Sequence, residues 1–485
     1  MGYLSSAYGR EGMNVDNQLK FHEELRESMS HSLYKFFIDA AHIGLYHSEY
    51  SSLKHKYGEP TTFVDFFGYT LGKALLTRKN IDKKLSDLQS YVKDGEVPYP
   101  IIVATSLKDG KPANEFYAYM ENTPHAVSFP GYNIESEPQK CGSLWDQGFV
   151  LRESPELPLH FYMGCTGCAF SILLNSLIKN GGETSKHFLN FVESFREKEL
   201  IRIEEARKKL KEEEDKEKAG DNTDGLMDFL LYPYKLWKDI RDYNILNHRN
   251  AVIERTGKML NFVKNLGNLE LHRLGQAEMK DVRQAEVAEN LSTNFIGGTI
   301  CTDNDVIDIC DAGIVQNVCT NAVMDDRRTP DLVLVMDFNA YESDEEFDYM
   351  PLLLAWARSG IDGVRFPPVN SEALATKEPQ ELLIFESDGD DCPTVMWFTL
   401  CNKEFRKLRN YEPKSTQDPP DSRWFNDFPV FGEGTSFKTI NFSNTPYQFD
   451  QLRELMYYNV SKNIDKIKDQ IVKAIKRKTR RLANS

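Results

Sequence analysis

Apolar residues recur at helical spacing from Leu33 to Ile43, where Leu33, Phe36, Phe37, Ala40 and Ile43 share a face, and again from Phe63 to Leu76. Asp65 and Gly68 punctuate the second of these helices. The run Tyr99 to Ala104 (YPIIVA) reads as a strand, and the alternating segment Glu115 to Met120 as a half-exposed one. Leu226 to Leu266 returns to a helical pattern. The strongest strands follow at Val306 to Cys310, Asp331 to Phe338, Leu382 to Phe385 and Val395 to Leu400. These runs are apolar on both faces, which suits central strands of a covered sheet. Tyr349 to Trp356 predicts a helix packed on that sheet, and one long helix is expected from Gln448, with Leu452, Leu455, Met456, Ile464, Ile467 and Ile471 along its apolar face. Strands alternating with helices predict an α/β fold with a mixed central sheet flanked by helices. No internal repeat and no Pro/Gly/Ser linker divides the chain.

Charge changes this picture in two places. Residues 193–225 are almost continuously charged, with both signs interleaved on a helical pattern that dissolves at Gly220, Asp221 and Asn222, which predicts a solvated insertion. From Lys466 to Arg481 eight basic residues stand against Asp469 alone, so that the remainder of a chain of net charge −15 carries −22. The basic end of the 448–485 helix has two readings: a solvated terminus favoured by the helix dipole, or an anchor for anionic lipid headgroups through Lys473, Lys476, Arg477, Lys478, Arg480 and Arg481.

Composition narrows the class. The 485 residues are 40% apolar and 27% charged, enough to bury a large core and to exclude disorder over most of the chain. The acidic balance would repel a phosphate backbone, so nucleic acid is not an expected partner. Eight irregularly spaced cysteines are too few for a disulfide scaffold and point to a reducing, cytosolic compartment. Met1 to Asn14 lacks the basic start and apolar stretch of a secretory signal. Phe161 to Ile178 is short for a bilayer and carries Asn175, which predicts a buried helix instead. Gly2 fits the loose Met-Gly-x-x-x-Ser acylation pattern, one short enough to arise by chance.

Gly-x-Ser-x-Gly, His-Glu-x-x-His, Gly-x-Gly-x-x-Gly and Walker motifs are all missing from these residues, which disfavours a nucleotide or dinucleotide enzyme. Cys165-Thr-Gly-Cys168 has redox or half-zinc spacing, but no second pair completes a tetrahedral site, and small residues packing helix to sheet is the reading adopted. Ser387 to Asp391 reads as a polar turn rather than a calcium loop. One carboxylate stands out. The strand Val306 to Cys310 ends in Asp311-Ala-Gly313, an acid at a buried strand tip followed by residues that permit a tight turn. In α/β folds ligands bind at that edge, although an Asp-Ala-Gly turn alone is usually just a turn.

VIDICDAGIVQN (306–317) followed by PDLVLVMDFNA (330–340) resembles the aspartate-containing catalytic block of the cytosolic, group IV phospholipases A2. Residues 60–76, 97–104, 158–175, 391–408 and 437–468 resemble further segments of that family in the same order, so the resemblance spans most of the chain. It implies a patatin-like lipase fold that hydrolyses fatty-acyl esters of glycerophospholipids, as a phospholipase A2 or lysophospholipase, through a Ser-Asp dyad. In such a dyad the aspartate takes the serine proton, an acyl-enzyme forms and water releases the fatty acid. Asp311 matches the family aspartate. No cofactor or metal is implied, and a cytosolic protein that associates peripherally with membranes is expected.

The resemblance also sets out departures. MGYLSSAYG (1–9) resembles the segment just after the nucleophile elbow, so the serine, the glycine-rich oxyanion loop, the phosphate-binding arginine and the strand leading to the elbow would precede Met1. Ser5 and Ser6 lie downstream of that register and are not nominated. A chain truncated at its amino terminus is the expectation, with a catalytically inactive lipid-binding or regulatory protein of the same fold as the alternative. Residues 121–148 correspond to the family lid, and Pro124, Pro130, Gly131, Pro138 and Gly142 predict a mobile loop there rather than a packed element. The family's amino-terminal calcium-dependent lipid-binding module has no counterpart in these residues, so no calcium site is predicted.

Overall fold

The structure is a computed structural model that describes residues 15–30, 39–76, 78–95, 97–108, 116–168, 256–290, 300–375, 377–387, 389, 391–414, 425–432, 434–437 and 444–484. All of them belong to one compact unit made of residues 1–168 and 256–485. The charged run 193–225, the helix expected from Leu226 as far as residue 255, and Ser5 and Ser6 lie outside the described residues.

The principal helices are α1 (Val15–Ser30), α2 (Ala40–Tyr46), α3 (Phe63–Leu75), α4 (Leu159–Cys165), α5 (Val282–Asn290), α6 (Met350–Asp362), α7 (Pro446–Lys462) and α8 (Ile464–Asn484). The strands are β1 (Ile102–Ser106), β2 (Ala118–Asn122), β3 (Val127–Phe129), β4 (Ile134–Ser136), β5 (Leu144–Asp146), β6 (Phe149–Arg152), β7 (Gly257–Leu260), β8 (Val306–Asp311), β9 (Leu332–Asp337), β10 (Leu382–Phe385) and β11 (Thr394–Thr399). The chain is therefore α/β with helices flanking sheet, as expected, but the strands form three sheets. Six run in the order β4-β3-β2-β1-β8-β7 with antiparallel neighbours, three in the order β10-β11-β9, and β5 pairs with β6. Among the described residues only β9 and β11 pair in parallel.

Three expectations are corrected by this arrangement. Residues 257–260 form β7, paired antiparallel with β8 through Gly257↔Ile309 and Leu260↔Val306, where a helix was expected to run on to Leu266. The 121–148 stretch is packed rather than loose: β3 is fully buried, and Pro130 and Pro138 each open a 3₁₀ turn that their fixed φ favours. The carboxyl-terminal helix is two helices, broken at Asn463, whose side-chain amide donates to Asn459 O at 2.9 Å. Asn459 in turn donates to the carbonyls of Thr399 and Cys401, which ties the end of α7 to the chain leaving β11.

Sequence dictates α3 closely. Thr62 is its N-cap, accepting from Val64 N, and Asp65 reaches back to Thr62 N at 2.7 Å, a capping box that starts the helix. Gly68 lies where α3 crosses α4. A Cβ there would sit 2.3 Å from His160 O, and one at Gly164 would sit 2.5 Å from Val64 O, so the helix backbones touch at this crossing. Gly164→Ala is expected to force the helices apart and cost roughly 1–3 kcal/mol, read as a lower urea midpoint. An unchanged midpoint would contradict so close a crossing.

The β10-β11-β9 sheet separates two apolar layers. One face contributes Val333, Val335, Val395 and Trp397 to a core with Tyr349, Leu352, Trp356, Phe405 and Leu455. On the other, Met396, Phe398 and Leu382 pack against Ile467 of α8. β9 is the sheet's edge among the described residues, and Leu334, Met336 and Phe338 are 41%, 38% and 62% exposed. Reading β9 as a central strand from its apolar sequence is corrected by this exposure.

Candidate active site

Asp311 is the last residue of β8, flanked by β1 on one side and β7 on the other, with Ala104 of β1 directly opposite it. It is also the N-cap of a 3₁₀ turn, Ala312–Ile314, and its Oδ1 accepts from Gly313 N at 2.8 Å. The carboxylate is half-buried. Gly313 leaves room for this geometry: a Cβ there would approach Asp311 Oδ1 to 3.0 Å and Asn317 Oδ1 to 3.2 Å, so either side chain would have to shift slightly. The turn thus brings the side chains of Asp311 and Asn317 to one spot at the strand tip.

Two thiols flank the aspartate, and their chemistry is informative. Cys168 is fully buried, its Sγ donates to Cys165 O, and the Asp311 main chain hydrogen-bonds it; burial first, and the Asp311 charge second, push its pKa up to about 12. Cys319 is pushed up to about 12 by burial, followed by the charges of Asp311 and Asp362. A thiol must ionise to attack a carbonyl, so neither neighbour is a competent nucleophile near neutral pH. Cys165, Cys168 and Cys310 are buried free thiols, in accord with the packing reading of the Cys165 to Cys168 pair.

The loop after Asp311 is held by side chains that sequence patterns did not single out. Tyr119 OH donates to Gln316 Oε1 at 3.0 Å, Gln316 Nε2 donates to Val318 O at 2.6 Å, and Asn321 Nδ2 donates to Asp362 Oδ2 at 2.5 Å. Burial raises the Asp362 carboxyl to about 6 despite Arg358, Asn321 and Arg273, which favour its charged form. Arg358 is itself buried and lies over the Tyr117 ring, 4.6 Å from its centroid. Asp362 ends a helix 51 residues after Asp311, and only the packing of α6 makes it part of this anchor. The other acid on β8, Asp308, is engaged by Lys258 and Thr256. Among the described residues no group of three or more His, Cys, Asp or Glu side chains is arranged to hold a metal ion.

The six basic residues singled out on α8 separate into two sets. Arg477 is buried and donates to Asp331 O at 2.7 Å and to Thr394 Oγ1 at 2.8 Å, Arg481 pairs with Asp331, and Lys473 pairs with Glu386 at 2.8 Å. Arg477 and Arg481 fasten α8 to the chain entering β9, which corrects their assignment to a lipid-facing surface, whereas Lys473 is exposed and its pair with Glu386 lies at the surface. Lys476, Lys478 and Arg480 are exposed. No helix among the described residues is long and apolar enough to cross a membrane.

Comparison with known proteins follows the same line. The model of the lysophospholipase catalytic domain family matches residues 11–224. Cytosolic phospholipase A2 zeta of Mus musculus is 24% identical over 429 residues, covering 87% of this chain and 46% of the relative. The structure of human GIVD cytosolic phospholipase A2 superposes with a TM-score of 0.63 at 18% identity, covering 94% of this chain and 52% of that one. The same human protein in complex with methyl gamma-linolenyl fluorophosphonate gives a TM-score of 0.53 at 16% identity, covering 94% and 50%. The chain spans about half the length of these relatives. The family model, the curated relative and the shared α/β lipase-like fold agree in the resemblance of this chain to the cytosolic phospholipases A2.

Proposed function

We propose that the protein hydrolyses fatty-acyl esters of glycerophospholipids, as a phospholipase A2 or lysophospholipase, with Asp311 as general base. The observation that carries this reading is Asp311 itself, an acid at the tip of a strand inside the sheet, oriented by Gly313 N in a chain that resembles this family. In the proposed reaction Asp311 accepts the proton of a serine hydroxyl as the oxygen attacks the ester carbonyl. The aspartic acid then protonates the leaving alcohol, and a water deprotonated by Asp311 releases the fatty acid from the acyl-serine. These 485 residues contain no Gly-x-Ser-x-Gly elbow. The proposal therefore assigns the aspartate half of the dyad to this chain and the serine half to polypeptide outside it. The 485-residue chain alone is expected to release fatty acid from mixed phosphatidylcholine vesicles at the buffer rate, whereas a longer native form turns them over. A catalytically inactive lipid-binding protein is the alternative that the missing elbow favours, and it predicts the buffer rate for the native form as well.

The same reading places the protein in the cytosol with peripheral attachment to anionic membranes through Lys476, Lys478 and Arg480. Each basic residue near an anionic surface contributes about 1 kcal/mol, so replacing all three by alanine is expected to weaken binding to phosphatidylserine vesicles on the order of 100-fold in flotation. Arg477→Ala is expected to leave flotation unchanged while lowering the melting temperature. Equal flotation by the triple variant and the parent would remove this surface from the account.

A further inference from the structure

The loop that leaves Asp311 is closed into a ring of contacts. It starts where Gly313 N donates to Asp311 Oδ1 at 2.8 Å, and Gln316, midway along it, accepts from Tyr119 OH of β2 at 3.0 Å. It ends at Asn321, fully buried, whose Nδ2 donates to Asp362 Oδ2 at 2.5 Å. From Asp362 the ring returns through Arg358, one turn back on α6 and 4.6 Å from the centroid of the Tyr117 ring. Tyr117 in turn meets Tyr119 edge to face, with centroids 5.1 Å apart. Cys319 sits within the ring: its Sγ donates to Gln316 O at 3.1 Å, and the charges of both Asp311 and Asp362 reach it. The candidate base and Asp362 are therefore joined by one short loop, which also carries Asn317 beside the Asp311 carboxylate.

Asp362 is the last residue of α6, where the negative end of the helix dipole disfavours a carboxylate, so helix stability does not account for an acid there. Facing it are Arg358 on its own helix, Arg273 on the chain before α5, Asn321 at the start of the short helix Asn321–Met324, Cys319 in the loop, and Tyr117 and Tyr119 on β2. The thiol and both phenols are held neutral by their burial. Burial raises the Asp362 carboxyl to about 6, against Arg358, the Asn321 hydrogen bond and Arg273, and the residue keeps partial contact with solvent. Its bond to Asn321 changes with its charge, since a hydrogen bond to a carboxylate is roughly twice as strong as one to a neutral acid.

We propose that Asp362 is a positioning residue for Asp311: ionised, it holds Asn321 and so fixes the loop beside the Asp311 carboxylate, and protonated, it lets that loop loosen. The effect on turnover rests on the general-base reading, whereas the effect on the loop does not. Stability runs the other way. The folded protein holds this proton more tightly than the unfolded chain, so ionisation lowers stability as pH rises from the usual 3.8 to about 6. Asp362→Asn copies the neutral acid and is therefore expected to loosen the loop at pH 8 without lowering the melting temperature, whereas a merely structural role would lose both together.

Amide hydrogen exchange with peptide resolution on the 485-residue chain tests the loop, with Asp362→Asn set against the parent at the same pH so that intrinsic exchange chemistry cancels. Residues 312–321 are expected to exchange about fivefold faster in the variant at pH 8 and at the parent's rate at pH 5, with β10 and β11 unchanged. Asn321→Ala is expected to match that variant at pH 8, and adding Asp362→Asn to it is expected to change nothing more. In a native form that carries the serine, kcat of the parent is expected to fall about fivefold below pH 6, in a step that Asp362→Asn lacks. Should that variant not fold, the parent decides the question, because its loop protection relative to β10 and β11 is expected to fall about fivefold from pH 8 to pH 5. Equal loop exchange in the folded variant and the parent at pH 8, parent loop protection independent of pH, or a kcat step retained by Asp362→Asn would each overturn the proposal. Failure of the general-base reading shows separately, as turnover that survives Asp311→Asn.

Discussion

Asp311→Asn is expected to lower kcat/KM for fatty-acyl ester hydrolysis by at least about 10³-fold in a form of the protein that carries the nucleophilic serine. Asparagine retains the side-chain oxygen that accepts from Gly313 N, at present 2.8 Å away, so the turn at the tip of β8 should persist and the melting temperature should change little. What asparagine lacks is a basic oxygen to receive the serine proton. Loss of turnover at constant stability therefore separates a chemical role from a structural one. Asp308→Asn supplies the contrast. Asp308 is engaged by Lys258 and Thr256, so that variant should lose stability while keeping most of its turnover once folded. Neighbouring thiols offer no bypass, because burial keeps Cys168 and Cys319 protonated near neutral pH. If Asp311→Asn retained more than about a tenth of the parent rate, the general-base assignment would be wrong.

The second large effect concerns stability. Asp65 is fully buried and serves four donors: Lys54 Nζ at 2.9 Å and Tyr50 OH at 3.0 Å on Oδ1, Thr62 N at 2.7 Å and Thr62 Oγ1 at 3.1 Å on Oδ2. Asp65→Ala removes the capping box of α3 and leaves the Lys54 ammonium buried without its close counter-ion. Breaking a buried pair from one side costs about 3–5 kcal/mol, and loss of the cap adds roughly 1 kcal/mol. Much of that penalty belongs to the stranded lysine, so Lys54→Met combined with Asp65→Leu should recover a substantial part of it. Urea unfolding of the two variants and the parent checks both statements. A cost below about 1 kcal/mol for Asp65→Ala would show that Lys54 reaches solvent.

Legibility from sequence follows how local each signal is. β8 and its terminal acid were readable because an apolar run stops abruptly at Asp311-Ala-Gly313, and β10 and β11 because short β-branched and aromatic runs are bounded by turn residues. β7 was not, since the run before Leu266 suits helix and strand alike and only pairing with β8 selects strand. Prolines in 121–148 signalled loop, yet Pro130 and Pro138 begin 3₁₀ turns within packed structure. On α8 the basic residues look alike in sequence. Which ones face the protein depends on Asp331 and Thr394 lying under one side of the helix. The anchor from Asn321 to Asp362 carries no sequence signal at all, because it joins a short helix to the end of α6 only through tertiary packing.

The proposed general-base role has Asp311 activating a serine carried by polypeptide beyond these residues. Its most direct test is to react the native protein, captured through its carboxyl-terminal helix, with a fluorophosphonate ester and to map the modified peptide by mass spectrometry. A single labelled serine is expected in a peptide absent from the 485 residues, with labelling slowed at least about 10³-fold in Asp311→Asn. Labelling of a serine within these residues, or no labelling of the native protein, would contradict it.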